Sequence, residues 1–374
     1  MIEPSLFYKT LEENDVKFHV GVPDSLLANY TNYLSNLKKN NHLIAANEGN
    51  AIGVAIGHYL STNKIAAVYM QNSGLGNAIN PLISLADNKI YSIPMLLLVG
   101  WRGEPGIIDE PQHIKQGEKT LSQLDLLDIP YWLINKNSEY KKIIKTACQI
   151  STVEKKPVAL VFHKNTFKHE VEIKNYDNKF SLIREEALEI IVNNIGQSLL
   201  ISTTGKISRE IYEIRKKRKE SCEDFLTVGG MGHASSIALG VALNTKLNVV
   251  CVDGDGSMIM HLGSLTTISS SEIKNFFHIL INNQSHESVG GQPTAANIID
   301  FKKLCLSVGY KKYSLAKNKK ELVKSINDLK NCDGPKILEV QVSKYSRENL
   351  GRPKESPEEN KFFFIRKVME KKNK

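Results

Sequence analysis

The sequence predicts an α/β protein built from two doubly wound parallel-sheet domains, with no third domain between them. Three observations lead there. The chain has 374 residues, more than one comfortable core holds and enough for two ordinary domains of roughly 100–200 residues each. Short apolar runs recur between segments of helical periodicity, which is the pattern of parallel strands buried on both faces. That alternation lapses once, in a polar stretch near the middle, and then resumes. The boundaries read from it are 1–165 for the first domain, 166–182 for a linker and 183–374 for the second.

In the first half the strand candidates are Phe18 to Val22, Ile65 to Met70, Pro94 to Val99 and Val158 to Phe162. Between the first two lies Asn47 to Leu60, where Gly49, Ala51, Gly53, Ala55 and Gly57 suit a helix packed closely against another backbone. From Lys164 to Lys179 charges and amides (Lys168, Glu170, Lys174, Asn175, Asp177, Asn178) replace apolar periodicity, as expected of a linker. A helix from about Arg184 to Asn194 reopens the pattern. The strand candidates after it are Leu199 to Ile201, Phe225 to Val228, Val249 to Val252, Phe276 to Ile281 and Ile337 to Val342. The halves are alike in kind, without a letter-level repeat.

Hydrophobic residues at 41% and charged residues at 24% exclude a disordered, collagen-like or membrane-embedded chain. The best apolar run, Ile93 to Val99, is far short of the roughly 18–20 residues of a membrane span. Met1-Ile2-Glu3-Pro4 lacks the basic and apolar regions of a secretory signal, so a cytoplasmic protein is expected. The cysteines (Cys148, Cys222, Cys251, Cys305, Cys332) form no Cys-x-x-Cys pair and read as free thiols. The formal charge of +9 invites an acidic partner. The basic run Arg215 to Lys219, however, follows Ile207, Ile211 and Ile214 at helical spacing and reads as a helix end, as does the tail from Arg366 to Lys374. No nucleic-acid or membrane partner is expected.

The segment richest in chemistry is Val249-Val250-Cys251-Val252-Asp253-Gly254-Asp255-Gly256-Ser257. An apolar strand runs into an acidic residue flanked by glycines. After a helix-sized gap the next strand ends in Asn282-Asn283. A carboxylate and a carboxamide thus stand at the carboxyl ends of two strands, where open α/β sheets bind ligands. With a main-chain carbonyl and phosphate oxygens they compose the all-oxygen octahedron that Mg2+ prefers. Gly-Asp-Gly by itself is only a turn signal.

Gly254-Asp255-Gly256 followed by Asn282-Asn283 resembles the cofactor motif of the thiamine diphosphate-dependent 2-keto acid decarboxylases. The resemblance implies domains of thiamine diphosphate-binding type, a pyrimidine-binding half and a diphosphate-binding half, with thiamine diphosphate and Mg2+ as cofactors. It implies Asp255 and Asn283 as side-chain metal ligands, Asn282 being the alternative, and Ser285 as a main-chain ligand. Gly229, Gly230, Gly254, Gly256 and Ser257 would contact the cofactor, and Met231 would hold its two rings bent, although a methionine also serves as core filler. Glu48, in Ala45-Ala46-Asn47-Glu48-Gly49-Asn50-Ala51, would meet the aminopyrimidine and favour the tautomer that activates the thiazolium. The dipole of a helix start also favours a glutamate there.

Room for only two domains makes the chain similar to the short members of that family acting on phosphonopyruvate or sulfopyruvate. The local text is closer to the phosphonopyruvate type: Gly21 to Leu27, Gln71 to Asn77, Gly100 to Gly106 with Asp109 to His113, Gly232 to Ser236, His286 to Thr294, and Arg347 to Pro353. Gly230 departs from an expected serine, and Gln284-Ser285 from an expected Gly-Ala. The implied reaction converts 3-phosphonopyruvate to phosphonoacetaldehyde and CO2 in phosphonate biosynthesis. Arg102, Arg347 and Arg352 would bind the small anionic 2-keto acid. Asp24 and His113 would move protons, with His113 expected in a mobile loop, and Asp24 also reads as a helix N-cap. A homo-oligomer is implied, with the cofactor at the subunit interface. The rivals are a sulfopyruvate decarboxylase and a non-catalytic nucleotide-binding α/β protein.

Overall fold

In the computed structural model, which describes all residues except 39, 170–178, 348 and 373–374, the apolar runs form two six-stranded sheets. Every pairing between their strands is parallel. The chain separates into two compact units. One holds the N-terminal half together with His286–Gln292, and the other holds the rest of the C-terminal half. Most of the expected linker, 170–178, and the last two residues of the basic tail lie outside the described residues.

The first sheet consists of β1 (Phe18–Gly21), β2 (His42–Ile44), β3 (Ala66–Gln71), β4 (Met95–Gly100), β5 (Tyr131–Ile134) and β6 (Pro157–Phe162). Their order across the sheet is β2-β1-β3-β4-β6-β5. Every residue of β4 and β6 is buried, as is all of β3 but its last, which is why these strands read as unbroken apolar runs. The edge strands β2 and β5 are partly exposed and carry no such run, so the sequence does not announce them.

The second sheet consists of β7 (Leu199–Ser202), β8 (Phe225–Leu226), β9 (Val249–Gly254), β10 (Phe276–Asn282), β11 (Lys312–Ala316) and β12 (Lys336–Gln341), in the order β11-β12-β10-β9-β7-β8. Alternate residues of its inner strands face two separate cores. Val250, Val252, Ile279, Ile281 and Leu338 pack on one face, and Val249, Cys251, Phe276, Leu280 and Ile337 on the other. That is the doubly wound arrangement, helices covering both faces.

The helix Glu48–Thr62 starts at Asn47, whose side chain accepts the N–H of Asn50, and ends where Asn63 turns left-handed at φ 54°. The expectation that its small residues serve close backbone packing holds for Gly49, whose Cβ would stand 2.9 Å from the Asn77 carbonyl oxygen. It does not hold for Gly53 and Gly57, which have nothing within 4 Å of that position and are exposed.

One ion pair is buried in the second core. Arg184 donates from Nε to Glu210 Oε2 at 2.8 Å and from Nη2 to Oε1 at 2.7 Å, joining the helices Arg184–Asn194 and Lys206–Lys217. The pair is bidentate and almost closed to solvent, so each charge is met by the other at short range. Glu210→Gln removes this carboxylate from the buried guanidinium and should destabilise folding by about 3 kcal/mol. Urea denaturation measures this, and a change below about 1 kcal/mol would show that the pair carries no such weight.

Candidate active site

In the first unit, several of the candidate side chains gather beyond the carboxyl ends of β1 and β4, with Asp24 following β1. It is wholly buried, and its Oδ2 accepts the N–H groups of Leu26 (2.9 Å) and Leu27 (3.1 Å). Asp24 is therefore not a helix N-cap: the next helix, Ala28–Leu34, starts from Leu27 without a side-chain cap, and this oxygen closes the turn ahead of it. The other, Oδ1, is buried with no hydrogen-bond partner. Burial pushes this carboxyl up to about 6, against the opposing charge of Arg102. Gly100, at the end of β4, lies against it, and a Cβ there would overlap Oδ2.

Arg102 follows β4. Its Nε donates to Asp109 Oδ2 at 2.7 Å, its Nη2 to Asp109 Oδ1, and its Nη1 to Ser25 Oγ at 2.7 Å. Burial works against the Asp109 carboxylate, but hydrogen bonds from Arg102 and Gly103 and the Arg102 charge outweigh it and hold the group at about 2. Burial, aided by the Arg102 charge, lowers His113 to about 4, so its imidazole is neutral at pH 7. His113 is not in a loop. It sits in the first turn of the helix Pro111–Leu126, because Pro111 occupies the helix start, where its missing N–H costs nothing. Asn72, a buried residue to which the sequence reading gave no role, fixes the Arg102 backbone. Its amide donates to the Arg102 carbonyl and to Thr120 Oγ1, each at 2.8 Å, and its carbonyl oxygen accepts the Arg102 N–H.

Glu48 opens the helix Glu48–Thr62, but Asn47 caps it, which frees the Glu48 carboxylate. It is buried, and its Oε2 accepts Asn77 Nδ2 at 2.8 Å. Gly74 lies so close that an added Cβ would collide with Oε1, Cγ and Cδ. Asn77 and Gly74 stand in the quoted segment after β3, yet only tertiary structure reveals their partner.

In the second unit Asp255 begins the short helix Asp255–Met260 just beyond β9. It is buried, and its Oδ2 accepts the Thr294 hydroxyl. Burial pushes the carboxyl up to about 6 in spite of that bond and of backbone N–H donors at Asp255, Gly256 and Asn283. Among the described residues no cationic side chain pairs with it. Ser257 Oγ accepts the Thr203 hydroxyl (2.9 Å) and the Gly232 N–H (3.0 Å), tying the Gly229-Gly230-Met231-Gly232 turn to this helix. Gly229 and Met231 are half-buried, whereas Gly230 is exposed with φ 63°, where glycine is unstrained and the expected serine would not be.

The two asparagines diverge. Asn282 donates to Glu339 Oε1 at 2.9 Å, while the Oδ1 of buried Asn283 accepts the Ser285 N–H at 3.0 Å. Gln284 between them holds φ 57°, a conformation that the expected glycine would adopt freely. After Ser285 the segment His286–Gln292 joins the first unit, where Gln292 Nε2 donates to Thr31 Oγ1 (2.8 Å) and Asn32 Oδ1 (2.6 Å). Arg347 is ion-paired with Glu185 (3.0 Å) and Glu213 in the second unit, and Arg352 is exposed.

Residues 5–125 match the family "Thiamine pyrophosphate enzyme, N-terminal TPP binding domain", and residues 203–340 match "Thiamine pyrophosphate enzyme, C-terminal TPP binding domain". Fold and matches together define a thiamine pyrophosphate enzyme. The chain is 33% identical over 356 residues to phosphonopyruvate decarboxylase of Streptomyces viridochromogenes, covering 91% of this chain and 88% of that one. It is 31% identical over 356 residues to phosphonopyruvate decarboxylase of Streptomyces hygroscopicus, covering 91% and 87%. Against sulfopyruvate decarboxylase of Methanosarcina acetivorans it is 27% identical over 336 residues, covering 83% and 84%. The chain belongs to the phosphonopyruvate decarboxylase family of carboxy-lyases. No helix among the described residues is long and apolar enough to cross a membrane.

Asp24 gives a prediction that needs no assay of activity. Its folded carboxyl, at about 6, lies above the roughly 3.9 of an unfolded chain, so the folded state favours the proton. The associated stability is complete below about pH 4 and is lost as pH rises through 6. Asp24→Asn cannot ionise and should be more stable than the parent at pH 8 by up to about 3 kcal/mol, the gap narrowing toward pH 4. Thermal midpoints across that range decide it, and a gap that is independent of pH would refute the burial argument.

Proposed function

We propose that the protein is a Mg2+- and thiamine diphosphate-dependent decarboxylase of 3-phosphonopyruvate, releasing phosphonoacetaldehyde and CO2 for phosphonate biosynthesis. The observation that carries this reading is Asp255, a buried carboxylate at a strand end, given hydroxyl and amide donors but no cation. Such a group fits a divalent ion. Asp255 and Asn283 would hold Mg2+ through side-chain oxygens and Ser285 through its carbonyl. Asn283 is preferred to Asn282 because its backbone N–H reaches the Asp255 carboxyl, whereas Asn282 lies within β10 and turns to Glu339. Gly229, Gly230, Met231, Gly254, Gly256 and Ser257 would bind the cofactor in the 183–374 domain, and Glu48 its aminopyrimidine in the 1–165 domain. The functional form is a homo-oligomer with the cofactor at the subunit interface.

When bound, thiamine diphosphate supplies the nucleophilic carbon for the keto group and the sink for the electron pair released with CO2. The chain supplies protons and charge. Glu48 presents a carboxylate oriented by Asn77, in space that Gly74 keeps clear. Asp24, at about 6, holds or gives up a proton near neutral pH, and its Oδ1 has no protein partner. Neutral His113 offers a second proton-transfer group without adding charge. Of the three arginines Arg102 is favoured for the phosphonate, because Asp109 and Ser25 fix it beside both groups. Arg102 and Arg347 each already hold a carboxylate, Asp109 for the first and Glu185 with Glu213 for the second, so the preference rests on the place of Arg102 beside Asp24 and His113. The Methanosarcina relative carries a second reading, with sulfopyruvate as substrate.

Parallel assays with both keto acids test the choice. Phosphonopyruvate should be turned over faster, and equal or faster turnover of sulfopyruvate would overturn it. Asp255→Ala should abolish Mg2+-dependent cofactor binding by calorimetry, whereas Glu48→Ala should keep partial binding and lose turnover. Gly74→Ala pushes the Glu48 carboxyl aside and should lower kcat about 100-fold with the fold intact by circular dichroism. Near-normal turnover in either Glu48→Ala or Gly74→Ala would remove Glu48 from the mechanism.

A further inference from the structure

One buried cluster takes no part in the chemistry above. Cys251 and Asp253 are two residues apart on β9 and so point to the same side of the sheet. His278 on β10 stands in register beside Cys251. All three are wholly buried, and a thiol sulfur, a carboxylate oxygen and a ring nitrogen from them lie within 4.8 Å of one another.

Two of those atoms are without partners. His278 Nε2 and Asp253 Oδ2 are 3.7 Å apart, too far for a hydrogen bond, and among the described residues neither has another hydrogen-bond partner. The far side of each group is fixed. His278 Nδ1 pairs with Tyr310 Oη at 3.2 Å, and Asp253 Oδ1 accepts the Gly254 N–H at 2.9 Å. Groups whose outer atoms are held while their inner atoms converge, unpaired, have the form of metal ligands with their supporting shell.

The donor set identifies the class of ion. Thiolate, imidazole and carboxylate suit a borderline-soft dication such as Zn2+ in a tetrahedron, whose fourth corner a small ligand such as water can take. Binding would release the Cys251 thiol proton, and the resulting thiolate with the Asp253 carboxylate would neutralise a dication. We propose that Cys251, Asp253 and His278 form a structural binding site for a Zn2+-like divalent ion, separate from the Mg2+ ligands assigned to Asp255 and Asn283.

Full-length protein freed of metal by a chelator and kept in excess Mg2+ is titrated with Co2+, both folded and during refolding, so that slow entry into a buried site is not mistaken for failure. One equivalent of Co2+ per chain is expected, with a near-ultraviolet thiolate-to-metal band that Zn2+ abolishes. Zn2+ should also raise the thermal midpoint. Both effects should survive in Asp255→Ala and vanish in Cys251→Ala. Should Cys251→Ala not fold, Asp253→Asn replaces it and should weaken Co2+ at least about tenfold. Absence of the band under both protocols, or its persistence in Cys251→Ala, overturns the proposal.

Discussion

Asp24, Glu48, Asp253 and Asp255 each take a carboxyl group out of water, and a carboxylate in a dry interior is costly unless something answers its charge. The surroundings answer each differently. Asp24 receives two backbone N–H groups on one oxygen and nothing on the other. Glu48 receives one amide. Asp255 receives a hydroxyl and backbone donors. Contrast Glu210, of equal burial, which Arg184 satisfies on both oxygens. Incomplete compensation marks the carboxyls to which a proton or a ligand is assigned above.

The sheets set where this can happen. Their inner strands are buried along both faces, so a polar side chain within them needs a partner inside the sheet, as Asn282 finds in Glu339. Asp24, Arg102 and Asp255 stand instead just past strand ends, where the chain turns and backbone N–H groups are free to donate. Glycines clear the space. Gly100 and Gly74 are small because the Asp24 and Glu48 carboxyls occupy the volume a Cβ would need, so these positions are constrained by the acids rather than by their own backbones.

The same physics decides what the sequence discloses. β3, β4, β6, β9, β10 and β12 are legible because two-sided burial writes an apolar run, whereas β2, β5 and β11 lie at sheet edges and write none. Asp255 and Asn283 stand out because both sit at strand ends within a short span. Asn77, Asn72 and Thr294 do not, since each acts on a residue distant in sequence and only the folded chain brings the pair together. Pro111 is a helix-start signal that the sequence does carry, and it places His113 in a first turn where a mobile loop is expected.

Asp253 and Asp255 show how two residues of spacing can separate two chemistries. The strand ends at Gly254 and a helix begins at Asp255. Asp253 therefore keeps the strand's alternation and faces a thiol and an imidazole across β9 and β10. Asp255, turned by the new backbone direction, faces the Thr294 hydroxyl and the amides around Asn283. One environment offers sulfur and nitrogen, the other oxygen alone. A hard ion such as Mg2+ gains little from the first, and a soft one gains most there, so ligand softness would sort two dications along one stretch of chain without a barrier between them.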